Sequence, residues 1–282
     1  MTDVPGRRAA VLGSPIAHSL SPFLHRAAYA SLGLTGWRYD AIECDEAGLA
    51  PLLAAAGPEW AGLSLTMPLK RAVLPLLDTV SDLALAVGGA NTVIFRDGAR
   101  HGENTDVYGI VRALAEEGVS APSSAAILGG GATAASALAA LREMGLAEAA
   151  LVVRDPARAG ETLRVAERLG VAVTLRSLDD PGAALGTELV ISTLPPGAAD
   201  GLAARVAAAL PDKGALFDVV YAPWPTALAR AVQDRGRAVV GGLPMLLHQA
   251  VRQVELMTGR ADVPVEAMRA AGEAEIARRA TA

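Results

Sequence analysis

The chain has 282 residues, of which 52% are apolar and only 4% aromatic, and a formal net charge of −5. That length allows two domains of ordinary size. With no basic run and no aromatic–basic alternation, nucleic acid is excluded as a partner. A lone cysteine, Cys44, rules out an internal disulfide framework and fits a reducing cytosol, so a cytoplasmic location is expected.

The opening stretch MTDVPGRRAAVLG lacks the apolar core of a signal peptide. RAAVLG (8–13) reads as a strand, and SPFLHRAAYASLG (21–33) as a helix with Ser21 as N-cap, Pro22 at its first position and Gly33 as its stop. WRYDAIEC (37–44) is the next strand, AGLAPLLAAAG (47–57) a helix, 61–66 a strand, and a further helix starts at Pro68. NTVIFRDGARHGENTD (91–106) reads as a hairpin around Asp97-Gly98, a pair that favours a type I′ turn. A helix over 107–117 follows, closed by Gly118, and the small, polar VSAPSS (119–124) reads as a domain joint. A second series then begins, with strands at 125–128, 149–153, 171–175, 189–193, 215–220 and 238–240, and helices near 244–257 and 264–279. Strand–helix alternation of this kind predicts α/β architecture with mainly parallel sheets. Gly118–Leu141 carries no charge, yet Pro122, three glycines and several serines interrupt it, so no membrane span is expected.

Four stretches could carry chemistry. In ILGGGATAASALAAL (127–141) a strand runs through Gly129, Gly130 and Gly131 into an alanine-rich helix. Gly129-x-Gly131-x-x-Ala134 fits a dinucleotide-binding turn, where glycines admit the pyrophosphate and the helix N-terminus faces it. The end of the next strand, LVVRDPAR (151–158), gives two signals: Arg154 and Arg158 would pair with a ribose 2′-phosphate, whereas Asp155 would bind a free 2′-hydroxyl. In GSPIAHSLSP (13–22), Ser19 and Ser21 stand two apart before a helix and suit a small carboxylate, although Ser21 as a simple cap explains half of the pattern. In SLTMPLK (64–70), Lys70 falls in the first turn of its helix, where the dipole disfavours an ammonium and favours a proton-transferring amine. Asp106 in HGENTDVYG can cap the following helix or share proton traffic with Lys70, and Asn91 offers amide donors and an acceptor at a strand start. His18, His25, His101 and His248 show no metal-ligand spacing, and no serine sits in a nucleophile elbow, so no metal and no covalent intermediate are expected.

Together these stretches resemble the shikimate dehydrogenase family, with its quinate/shikimate relatives, over nearly the whole chain. LTMPLK is similar to that family's Thr-x-Pro-x-Lys motif, GANTV and NTDVYG match its asparagine and aspartate motifs, and GGGATAA its nucleotide turn. DVVYAPWPTAL (218–228) and GGLPMLLHQA (241–250) match two further segments. The resemblance implies Lys70 and Asp106 as a converging catalytic pair. It implies Ser19, Ser21, Thr66, Asn91, Asp106, Tyr221 and Gln249 on the substrate. It also implies Gly129, Gly130, Gly131, Ala132, Thr133, Arg154, Asp155, Arg158, Val219 and Gly242 on the cofactor. The implied architecture is two open twisted α/β domains: residues 1–106 with 244–282 for substrate, and an inserted Rossmann-type domain, 107–243, for NADP, with hinges near 107–124 and 240–245. The implied reaction is reversible NADPH-dependent reduction of 3-dehydroshikimate to shikimate by a monomer or homodimer. Where the family's NADP users carry Asn-Arg-Thr, this chain has Val153-Arg154-Asp155. That keeps open an NAD-dependent catabolic quinate/shikimate dehydrogenase; an alternative of another class is a nucleotide-sensing binding protein on the same scaffold, which would require loss of the pair Lys70 and Asp106 that this chain retains.

Overall fold

The computed structural model describes residues 6–281; the side chain of Arg158 lies outside the described set. The chain divides into two compact units, Met1–Thr105 with Leu246–Ala282, and Asp106–Met245. The segment 119–124 therefore falls within the second unit and not between the two.

The first unit runs β1 (Arg8–Gly13), α1 (Ser21–Ser31), β2 (Arg38–Glu43), α2 (Glu46–Ala55), β3 (Trp60–Leu65), α3 (Leu69–Ala72), β4 (Thr79–Val80), α4 (Asp82–Val87), β5 (Thr92–Arg96) and β6 (Ala99–Glu103). Its sheet has the order β2-β1-β3-β5-β6-β4. β1 pairs in parallel with β2 and β3, while β5 is antiparallel to both β3 and β6. The hairpin turn holds Asp97 at φ 53° and Gly98 at φ 75°, both left-handed as a type I′ turn demands.

The second unit runs α5 (Asp106–Glu116), β7 (Ala125–Leu128), α6 (Ala132–Glu143), β8 (Glu148–Val153), α7 (Gly160–Leu169), β9 (Ala172–Ser177), β10 (Leu189–Ser192), α8 (Ala203–Ala209), β11 (Ala215–Asp218), α9 (Ala227–Gln233) and β12 (Ala238–Val240). Its strands lie in the order β12-β11-β10-β7-β8-β9, every pairing parallel. This is the doubly wound Rossmann order, with its switch point between β7 and β10. β7, β10 and β11 are buried at every residue, as strands covered on both faces must be. The chain then continues through α10 (Gly242–Thr258) into α11 (Val265–Ala280).

Period-two alternation in β1 builds two cores from one strand. Ala9 and Val11 face α1, α10 and α11, through Leu24, Ala28, Leu247, Val254 and Met268. Ala10 and Leu12 face the opposite layer, through Leu49, Leu53, Leu69, Val73 and Ala84. The small side chains at 9 and 10 let helices approach the sheet closely, which compensates for the scarcity of aromatics.

Three helix starts depart from the sequence reading. Leu20, not Ser21, occupies the N-cap of α1, and its apolar side chain makes no capping hydrogen bond. Pro68 is the N-cap of α3 rather than its first residue, and α3 is a single turn of four residues. Pro75, in the following 3₁₀ turn Leu74–Leu76, has no N–H to continue an α-helical ladder. So short a helix sums few peptide dipoles, and the dipole argument for Lys70 falls away. Asp106 is the first residue of α5 and not the capping residue before it.

Candidate active site

In the first unit, the loops after β1 and β3, the start of β5 and the end of β6 share one sheet edge. The register fixes this: Ser64 pairs with Thr92, and Thr92 with Glu103. Ligands of open α/β sheets bind at such an edge, beyond the carboxyl ends of the parallel strands.

The serine loop is tied down from two sides. Glu43 accepts from Ser14 Oγ at 2.6 Å and from the Ile16 N–H at 2.9 Å. Arg279, on α11, donates to the carbonyls of His18 at 2.5 Å and Ser19 at 3.4 Å. Arg279 is itself aimed by Glu275, whose carboxyl is held down to about 2 by the guanidinium groups of Arg278 and Arg279. Ser19 Oγ accepts from the Ser21 N–H at 3.3 Å, which leaves the Ser19 hydroxyl hydrogen for a ligand. Ser19 is half-buried and Ser21 buried.

After β3, the Thr66 N–H donates to Leu12 at 2.9 Å and its carbonyl accepts from Leu69 at 2.8 Å. The Lys70 carbonyl accepts from the Ala90 N–H at 2.8 Å, so the single turn bearing Lys70 is fastened beside Asn91. Both Thr66 and Lys70 are half-buried.

Asn91 is the hub of a buried polar cluster. Its Oδ1 accepts from the Thr105 N–H at 2.8 Å and the Thr92 hydroxyl at 2.9 Å. Its Nδ2 donates to Thr105 Oγ1 at 2.9 Å and Gln249 Oε1 at 3.3 Å. Gln249 Nε2 donates to the Leu246 carbonyl at 2.9 Å, one turn back on α10. Gln253 continues the cluster to Ser64, and Ser64 accepts from the Tyr39 hydroxyl at 2.6 Å. His25 stacks on Tyr39 with centroids 3.9 Å apart, and its Nδ1–H donates to the Ser21 carbonyl at 2.9 Å. Burial lowers His25 to about 4.

In the second unit, β7 enters the glycine turn with Gly129 at φ +109°, where an added Cβ would lie 2.5 Å from Thr193 Oγ1. α6 starts at Ala132 behind Gly131, with no side-chain cap, so the first amides, including those of Ala132 and Thr133, stay available to an anion. Ala134 is fully buried, the small third residue that close helix–sheet packing needs. The Thr162 hydroxyl donates to the Gly130 carbonyl at 2.7 Å and holds the turn. A cleft of about 310 Å³ lies beside it, lined by Gly129, Gly130, Val153, Arg154, Asp155, Ala159, Leu178 and Leu194. Asp155 caps the 3₁₀ turn Pro156–Arg158 by accepting from the Ala157 N–H at 3.0 Å. Arg154 is exposed at the cleft. Past β11, Asp218 accepts from the Thr226 hydroxyl at 2.8 Å and staples the loop bearing Val219 and Tyr221. Gly242 packs on that loop so closely that a Cβ would lie 2.0 Å from the Val219 carbonyl oxygen.

The model for the shikimate dehydrogenase substrate binding domain matches residues 11–93, and that for the shikimate 5'-dehydrogenase C-terminal domain matches residues 242–271. A shikimate dehydrogenase (NADP(+)) of one Thermus thermophilus strain is 39% identical over 275 residues, covering 97% of this chain and 98% of the relative. The chain belongs to the shikimate dehydrogenase family. Its fold agrees: the crystal structure of Mycobacterium tuberculosis shikimate dehydrogenase superimposes with a TM-score of 0.87 at 42% identity, covering 95% of this chain and 99% of that one. The family member from a second Thermus thermophilus strain, in complex with NADP(H) and shikimate, gives a TM-score of 0.84 at 34% identity, covering 95% and 99%. Sequence reading named candidate ligand positions but not the residues that fasten the segments bearing them: Glu43, Arg279, Asp218 and Gln253. Of these, Asp218 and Thr226 stood in a motif already quoted, where a carboxylate eight residues before a hydroxyl is a legible staple. Among the described residues, no group of three or more His, Cys, Asp or Glu gathers as a metal site, and no helix is long and apolar enough to cross a membrane.

Proposed function

We propose that this family member is a shikimate dehydrogenase, interconverting 3-dehydroshikimate and shikimate with NADP in the biosynthesis of aromatic amino acids. The observation that carries the reading is the Asn91–Thr105–Gln249 cluster: neutral amides and hydroxyls for ring hydroxyls, beside the turn that bears Lys70 and covalently next to Asp106.

Ser19 and Ser21 bind the substrate carboxylate, and Thr66, Asn91, Asp106, Tyr221 and Gln249 divide the ring hydroxyls. Lys70 holds the C3 oxygen and gives it a proton as the carbonyl is reduced; Asp106 orients Lys70 and exchanges the proton. In the oxidative direction the same pair removes it. General acid–base assistance of this kind contributes about 10²–10⁴-fold. The glycine turn fits a pyrophosphate, since Gly130 and Gly131 put no side chain before the uncapped start of α6, whose Ala132 and Thr133 amides stay available, while the Gly129 N–H is held by the Val152 carbonyl. Arg154 and Arg158 take the 2′-phosphate, and Val219 and Gly242 flank the nicotinamide, which when bound supplies or accepts the hydride at C3. Asp155 already serves as a local cap, which accounts for an acid at that position without a ribose contact. Its place beside the cleft is what favours the alternative reading, NAD-dependent oxidation of quinate or shikimate. The chain is expected in the cytoplasm as a monomer or homodimer.

A spectrophotometric panel crossing shikimate and quinate with NADP⁺ and NAD⁺ tests this. The highest kcat/KM should fall on shikimate with NADP⁺. Preference for NAD⁺ or quinate would favour the alternative, and nicotinamide binding without turnover would leave a sensor.

A further inference from the structure

We propose that Gln253 is a positioning residue that sets the donor direction of the substrate pocket; the proposal rests on the shikimate reading above. Gln253 lies one turn beyond Gln249 on α10 and is 1% exposed, so it acts through other side chains. Its Oε1 accepts from Ser64 Oγ at 2.8 Å, and its Nε2 donates to Thr92 Oγ1 at 3.0 Å and to the Asn91 carbonyl at 3.4 Å.

A carbonyl can only accept, so the Asn91 carbonyl fixes which end of the Gln253 amide faces it. The rest follows from one hydrogen per hydroxyl. Ser64 gives its hydrogen to Gln253, so its oxygen receives that of Tyr39. On the other side, Thr92 receives from Gln253 and gives its hydrogen to Asn91 Oδ1. That oxygen also takes the Thr105 N–H, so its acceptor capacity is filled. Asn91 therefore presents Nδ2 toward Thr105 and Gln249, and by donating to Gln249 Oε1 it turns the Gln249 amide so that the second N–H of Nε2, the first being held by the Leu246 carbonyl, meets a ring hydroxyl as a donor. Without Gln253 the Thr92 hydroxyl is released to rotate, and one of the bonds that holds the Asn91 amide in this sense is lost.

The test compares Gln253→Met, Thr92→Val and Thr92→Ser with the wild type in steady-state oxidation of shikimate by NADP⁺, with thermal unfolding alongside. Gln253→Met and Thr92→Val should each raise the KM for shikimate about tenfold, the worth of one buried hydrogen bond. The KM for NADP⁺ and kcat at saturation should stay within threefold. Thr92→Ser, which keeps the hydroxyl, should restore the wild-type KM. A folded Gln253→Met enzyme with unchanged KM for shikimate overturns the proposal. So does equal damage from Thr92→Ser and Thr92→Val, or an equal rise in both KM values. Should Gln253→Met not fold, the Thr92 pair decides. Wild-type protein that turns over no shikimate refutes the functional reading itself, whereas active wild type with silent variants refutes only the role of Gln253.

Discussion

The two units expose different parts of the chain at their candidate sites. The second offers backbone: Gly129 at φ +109°, Gly131 with open space around it, and the uncapped start of α6. The first offers side chains, each held by another side chain: Ser19 by Arg279, Arg279 by Glu275, Asn91 by Thr92 and Thr105. A backbone site needs glycine where a Cβ would collide and tolerates change elsewhere. A side-chain site is only as well placed as the residues behind it.

The largest break should come from the proton-transferring group itself. Lys70→Ala is expected to lower kcat by about 10²–10⁴-fold, with the KM for shikimate within a few-fold of wild type; full turnover in that variant would remove Lys70 from the chemistry.

Next in size is a pH effect confined to the side-chain unit. His25 is lowered to about 4 by burial, from an unfolded value near 6.5. The unfolded chain therefore binds more protons between those values. Its stability contribution is complete above pH 6.5 and is lost as pH falls towards 4, about 3 kcal/mol in all. Denaturant unfolding across that range should show the slope, and His25→Phe should flatten it.

The backbone unit should break at one glycine and not at another. Gly129→Val meets Thr193 Oγ1 and a left-handed φ, a strain of about 1–3 kcal/mol. Affinity for NADPH, read by fluorescence titration, should fall roughly tenfold to a hundredfold. Gly131→Ala has no protein atom to meet; unchanged thermal unfolding in that variant separates fold from ligand contact.

The smallest effect should be at the clamp. Arg279→Ala releases the His18 and Ser19 carbonyls. It should raise the KM for shikimate several-fold, about the worth of one hydrogen bond to a charged group discounted for exposure, and leave kcat intact. An unmoved KM would show that Glu43 alone holds the loop.

What the sequence revealed follows the same division. The Gly129 turn and the Asp97-Gly98 hairpin were legible because backbone conformation is written locally, in the residues that must adopt it. Strand positions were legible because alternation and short apolar runs are local as well. Leu20 as the cap of α1 was not, since a leucine carries no capping group to mark a helix start. The single turn at Lys70 could have been read from Pro75, five residues on. Arg279, some 260 residues from the loop it holds, leaves no local trace. Nor does Gln253, whose partners Ser64 and Thr92 lie more than 160 residues away.

The bonds from Tyr39 through Ser64, Gln253 and Thr92 to Asn91 run entirely through uncharged groups. Re-aiming such a chain needs only hydroxyl rotations and flips of neutral amides, with no ion moved through a low-dielectric interior. Selectivity between polyols that differ by a single oxygen can therefore drift by exchanges as small as serine for alanine or threonine for valine.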